Sequence, residues 1–199
     1  MDRVGAIVSI PRALAVVAAL LLSAAGSAAE LGSLAPSRTF IQAAATEDDT
    51  TSIAAGAAWN WRWRRDYPHA SLTGYTELLV ARWRTDERVE RNSSDSTQFG
   101  LTPVLRISPS FARRRLFMEL GIGANVITPV YRYADKRFST PFNFGDHLGL
   151  GAELGADRQY AVTLRIEHFS NGGIKKPNPG VNFIQLRVST SPGQFRARR

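Results

Sequence analysis

An imidazole and a hydroxyl stand two residues apart at His168 and Ser170, at the end of an apolar-alternating run that begins near Gln159. Successive side chains of a strand point to opposite faces, so residues two apart share a face. His168 can then act as the base that activates Ser170 as a nucleophile. The residues that follow, Asn171-Gly172-Gly173-Ile174-Lys175-Lys176-Pro177-Asn178-Pro179-Gly180, are rich in Gly, Pro and Asn, cannot continue the strand, and read as a loop. A base and a nucleophile at a strand–loop junction are well placed for chemistry. His-x-Ser on a strand is also frequent by chance, so the elements that carry the pair decide its meaning.

Those elements are strands. Eight apolar-alternating segments are separated by polar or turn-rich stretches: 37–45, 52–64, 72–84, 97–108, 115–126, 142–155, 159–169 and 181–190. Along the seventh, Tyr160, Val162, Leu164 and Ile166 oppose Thr163, Arg165 and Glu167. Along the fourth, Phe99, Leu101, Pro103, Leu105 and Ile107 oppose Gln98, Thr102 and Arg106. The polar face holds small residues and charges of both signs, including Arg62, Glu77, Arg106, Glu119, Glu153, Glu167 and Arg187. Such a face suits a narrow, ion-paired lumen, with the apolar face toward lipid. The connections alternate between short (65–71, 109–114, 156–158) and long (85–96, 127–141, 171–180), as in outer-membrane barrels. The expected fold is therefore all-β: an eight-stranded antiparallel up-and-down transmembrane barrel of the outer membrane. Trp59, Trp61 and Trp63 at one strand end are expected in an aromatic belt at the membrane interface. The alternative is a soluble lipocalin-like barrel around an apolar cavity.

Bulk properties agree with export. A chain of 199 residues suits a single domain. Arg3 and Arg12 precede an uncharged, Leu/Val/Ala-rich stretch that ends in Ser27-Ala28-Ala29. Residues 1–29 read as a secretory signal peptide rather than an uncleaved anchor, because the apolar core is short and ends in small residues. The barrel is then expected over 30–190, with a basic tail over 191–199 in the periplasm. The net charge is +8; an exported chain with no nucleic-acid motif points that charge toward an acidic, phosphate-rich membrane surface. Cysteine is absent, which excludes disulfides and thiolate metal sites. No metal, cofactor or nucleic acid is expected.

Orientation places the pair. Short turns of such barrels face the periplasm and long loops face outward, so the seventh strand runs outward to His168 and Ser170. Both share the face of Val162 and Ile166, which puts them on the lipid-facing wall near the outer rim. Polar groups in lipid are expensive and ask for a reason. A hydrolase acting on outer-leaflet lipid supplies one; an inert polar rim is the alternative.

His168-Phe169-Ser170-Asn171 with Gly173, Pro177-Asn178 and Gly180 resembles the signature of the lipid A 3-O-deacylase family, the PagL type. The resemblance implies a metal-independent outer-membrane esterase that removes the acyl chain at position 3 of lipid A, the lipid portion of lipopolysaccharide. It implies Ser170 as nucleophile and His168 as base, with Asn171 and the backbone around Gly173 stabilising the oxyanion and Asn178 in support. The family pattern carries a Glu two positions after the glycine matched by Gly180, where this chain has Asn182. An acid there would stabilise the imidazolium, whereas Asn can orient a histidine without adding charge. The outward faces of the sixth and seventh strands are both even-numbered. A tight turn at 156–158 then pairs Leu154 with Tyr160, Leu150 with Leu164 and Asp146 with His168. Asp146 is thus expected beside the imidazole as a source of charge, and Asn182 on its other side as the orienting group. Arg132, Lys136, Arg137, Lys175 and Lys176 on the outer loops are candidates for the substrate phosphates. The expected partners are lipid A as substrate and the membrane itself, for a monomer or homodimer. The rival readings are a non-enzymatic structural or adhesin barrel and an outer-membrane phospholipase.

Overall fold

The computed structural model describes residues 35–191 except 48, 87–92, 112–114, 134 and 135. The signal peptide expected over 1–29 and nearly all of the tail expected over 191–199 lie outside the described residues.

Ten strands form: β1 (Arg38–Ala45), β2 (Thr50–Asp66), β3 (Ala70–Asp86), β4 (Ser93–Pro109), β5 (Leu116–Thr128), β6 (Arg132–Tyr133), β7 (Lys136–Arg137), β8 (Phe142–Leu154), β9 (Tyr160–Ser170) and β10 (Val181–Thr190). Eight of them close into one antiparallel barrel in the order β1-β10-β9-β8-β5-β4-β3-β2. Apart from the short hairpin β6–β7, each strand pairs with its sequence neighbours, and β1 with β10 completes the ring. The eight strands lie where the alternation placed them. The two-residue strands β6 and β7 are an addition inside the long 129–141 connection, too short to show a period.

Closure gives each of the eight barrel strands a partner on both sides, as a bilayer demands. Every barrel strand contributes an outward aliphatic side chain: Ile41, Ile53, Val80, Leu101, Leu120, Leu148, Leu164 and Ile184 are all exposed, Ile53 by 73% and Ile184 by 63%. A continuous apolar belt of this kind fits hydrocarbon and not water. The interior removes the soluble-carrier alternative, because it holds a packed ionic network in place of an apolar cavity. Arg165 donates to Glu119 at 2.8 Å, to Glu77 at 3.2 Å and to the Tyr75 hydroxyl at 3.0 Å. Arg187 donates to Glu77 at 2.5 Å and to Gln42 at 2.9 Å, and Arg106 donates to Glu119 at 2.7 Å. Glu77 and Glu119 therefore each meet two guanidiniums, which offsets the desolvation of all five groups.

Above this layer, toward the long loops, the lumen is closed by aromatic rings. Trp83 is fully buried and meets Tyr131, Phe169 and Phe183 edge to face, with centroids 4.6–5.8 Å apart across the cluster. Its Nε1–H donates to Gln98 Oε1 at 2.7 Å. Phe169 lies between His168 and Ser170 in sequence, and Phe183 follows Asn182. The plug therefore anchors the inner face of the very strand ends whose outer face carries the polar pair.

The tryptophan belt expected from Trp59, Trp61 and Trp63 is not what forms. The β2–β3 register slips between Asn60 and Arg64, and Trp61 turns inward to 7% exposure. The period-two reading could not see the slip because it assumes an unbroken pleat.

Candidate active site

The active-site candidates come from three adjacent strands and the loop between two of them. On the outer face His168 of β9 lies opposite Asp146 of β8 on one side and Asn182 of β10 on the other. This is the register the tight β8–β9 turn implies. His168 and Ser170 share the lipid-facing side and are half-buried.

His168 Nδ1 and Asn182 Oδ1 are 2.7 Å apart. An amide oxygen only accepts, so Nδ1 carries a proton, and in the neutral ring the lone pair is on Nε2. The imidazole rests on Gly180: a Cβ there would lie 2.2 Å from His168 Cε1 and 2.9 Å from Nε2. Gly180 is thus the floor of the ring. Ser170 lies opposite Phe144, whose ring meets Phe142 edge to face at 5.1 Å. Ile166, Leu148 and Ile184 continue an apolar surface on the same face. The Ser170 hydroxyl accepts from the Gly172 N–H at 3.4 Å, while Asp146 stands beside the imidazole as a cross-strand neighbour.

The loop after Ser170 is held by Asn171. As the next residue along the pleat it turns to the buried side, and it is 1% exposed. Its amide hydrogens go to Ser139 Oγ at 2.9 Å and to the Lys175 carbonyl at 2.7 Å. Its Oδ1 accepts from Gly173 N–H, and its own N–H donates to Asn178 Oδ1, both at 2.9 Å. The donors of Asn171 and Gly173, expected at the oxyanion, here shape the loop. Gly172 and Gly173 have φ of 64° and 82°, the left-handed region that glycine enters without strain. Asn178 fixes the start of the turn.

The basic residues fall on two loops. Arg132, Lys136 and Arg137 lie on the β6–β7 hairpin, and Lys175 and Lys176 on the β9–β10 loop. Ser139 joins the loops by donating to the Lys175 carbonyl at 2.9 Å. Sequence reasoning missed Ser139, Phe144 and the packing role of Gly180. Phe144 was legible in principle, as the outward residue two before Asp146; Ser139 sits in an aperiodic loop with no such signal.

A closed barrel with a lipid-facing apolar belt, and with the candidate residues His168, Ser170 and Asn182 on that same wall, defines the class of integral outer-membrane barrels. The chain belongs to the lipid A 3-O-deacylase (PagL) family, whose profile matches residues 53–191. It is 36% identical over 128 residues to the lipid A deacylase PagL of Bordetella bronchiseptica, spanning 64% of this chain and 66% of that protein. To the lipid A deacylase PagL of Pseudomonas aeruginosa it is 29% identical over 131 residues, spanning 64% of this chain and 71% of that protein. The match thus covers about two thirds of the length of these relatives. The barrel superposes on the crystal structure of the outer membrane enzyme PagL with a TM-score of 0.63 at 22% identity, covering 77% of this chain and 98% of that one.

Proposed function

We propose that this protein hydrolyses the ester-linked acyl chain at position 3 of lipid A, with Ser170 as nucleophile and His168 as base. The observation that carries the reading is the hydrogen bond from His168 to Asn182 on the lipid-facing wall, which leaves Nε2 to take the proton of a serine on the same face. Family membership supplies the substrate class.

In this reading Ser170 Oγ attacks the ester carbonyl carbon as its proton passes to His168 Nε2. The tetrahedral oxyanion is met by the Gly172 N–H, the backbone donor beside Ser170 Oγ. Preorganised donors of this kind are commonly worth about 3–4 kcal/mol each. Collapse breaks the bond to the sugar oxygen, which takes the proton from the imidazolium. Water, deprotonated by His168, then attacks the acyl-enzyme and releases the fatty acid. Phe142, Phe144 and Ile166 give the acyl chain an apolar surface continuous with the bilayer. Arg132, Arg137, Lys136, Lys175 and Lys176 face the phosphates from the two joined loops.

Asn182 fixes the tautomer but carries no charge to stabilise the imidazolium, and Asp146 supplies that charge from the opposite side. The test is labelling with a lipophilic fluorophosphonate in detergent micelles, followed by peptide mapping. The adduct is expected on Ser170 and is expected to be lost in His168→Ala. An adduct elsewhere, or none in the unaltered protein, removes Ser170 as the nucleophile.

A further inference from the structure

Strand β2 carries an irregularity that the lipid-facing site does not use. Before the register slip Thr50, Ser52, Ala54 and Ala58 face the lumen; beyond it Trp61 does. Bulged positions at barrel rims re-aim side chains. Here the slip swings Trp61 into the periplasmic mouth, where its Nε1–H donates to Thr76 Oγ1 at 2.9 Å. A Cβ at residue 74 would stand 2.0 Å from the Trp61 ring, so Gly74 is what makes the room. Trp63 tilts against Trp61 with centroids 5.7 Å apart. The two form an aromatic wall on one side of a cavity of about 330 Å³.

The rest of that cavity is cationic. Arg38, Arg62, Arg64, Arg106 and Arg158 line it, with Glu153 as the facing carboxylate. Glu153 is shared among Arg38 at 3.0 Å, Arg106 at 3.3 Å and Arg158 at 4.0 Å. Arg106 is already matched by Glu119, and Arg64 by Asp66 at 2.7 Å. Glu153 is thus divided among several guanidiniums and cannot saturate their donors. Arg38 shows it most plainly: its side chain is 15% exposed and its Nη1 is buried without a hydrogen-bond partner. A buried donor left unmatched is costly, and an acceptor entering from the cavity would satisfy it.

We infer that the periplasmic mouth of the barrel is a binding site for a phosphate group, separate from the lipid-facing site. The guanidiniums reach the cavity from β1, β2, β4 and the β8–β9 turn, and so from several directions. A planar carboxylate is satisfied by one in-plane fork, whereas a tetrahedral phosphate offers oxygens to donors on every side. The cavity also has room beside Trp63 for whatever the phosphate is attached to. The same chemistry is available from free inorganic phosphate or from the headgroup of an inner-leaflet phospholipid.

Calorimetric titration of the full chain, folded in an uncharged maltoside detergent at constant ionic strength, tests the site. One arm uses inorganic phosphate and the other dihexanoylphosphatidylglycerol, with chloride as the reference anion. Saturable binding that Arg62→Gln and Arg38→Gln each weaken about ten-fold or more is the expected result, while Arg62→Gln leaves lipid hydrolysis unchanged. Arg62→Gln carries the test alone if Arg38→Gln, which releases Glu153, does not fold. Tighter binding in the first arm assigns the site to free phosphate, and in the second to a headgroup. No saturable heat in either arm, or binding indifferent to Arg62→Gln, overturns the inference.

Discussion

The division of labour around His168 can be tested as a double-mutant cycle between Asp146 and Asn182. Asp146 and His168 are directly opposed across β8 and β9, so their Cβ atoms stand about 4.5–5.5 Å apart. A carboxylate about 5 Å from an imidazolium is worth about 0.8 kcal/mol in water-like surroundings and about 3 kcal/mol at an effective dielectric near 20. The half-buried rim lies between these limits. Asp146→Asn, which keeps the shape and removes the charge, should therefore lower kcat/KM about ten-fold or more, about 1.4 kcal/mol of barrier. Asn182→Glu, one methylene longer, brings a carboxylate to the side of the ring where the amide oxygen now sits 2.7 Å from Nδ1. It should hold or raise the rate, by up to the ~1–4 kcal/mol of a charge pair about 4 Å apart. The assay is fatty-acid release from lipid A in detergent micelles, measured for both single variants and the double variant. If one charge substitutes for the other, Asp146→Asn costs clearly less in the Asn182→Glu background, a coupling of at least about 0.5 kcal/mol. Equal losses in both backgrounds, or a silent Asp146→Asn, refute charge sharing.

Gly180→Ala should abolish most activity while leaving a folded, heat-modifiable barrel, because the new methyl occupies the space of the imidazole; gel mobility with and without heating checks the fold. Arg165→Met should destabilise the barrel by about 3–5 kcal/mol, since Glu77 and Glu119 each lose a buried partner. Urea unfolding in micelles reads that loss, and an unchanged midpoint would contradict the ionic core. The mature protein should begin at about Glu30 and fractionate with outer membranes, as N-terminal sequencing and sucrose-gradient separation can check; recovery from the soluble periplasm would contradict a lipid-facing site.

The barrel was legible because strands with one face in lipid and one in a polar lumen alternate strictly, so eight period-two runs and their turn lengths carry the topology. The same period fixed the site register: once His168 was outward and the β8–β9 turn tight, Asp146 followed. Three features did not follow. The slip between Asn60 and Arg64 breaks the period that was being read, so Trp61 and Trp63 changed sides. The family resemblance implied Asn171 as an oxyanion donor, but the pleat turns it inward, where its amide bonds Ser139 and Lys175. Ser139 belongs to a connection whose path depends on contacts between two loops, which no local pattern encodes.

The most direct measurement is mass spectrometry of lipid A from cells that normally carry the 3-linked chain, expressing either this protein or its Ser170→Ala variant. Loss of one acyl chain from position 3 with the unaltered protein, and full-length lipid A with the variant, is the predicted result. Unchanged lipid A with the unaltered protein folded in the outer membrane, or identical loss with Ser170→Ala, would contradict a Ser170-dependent lipid A deacylase. Intact lipid A accompanied by released phospholipid acyl chains would place the chemistry on a different lipid.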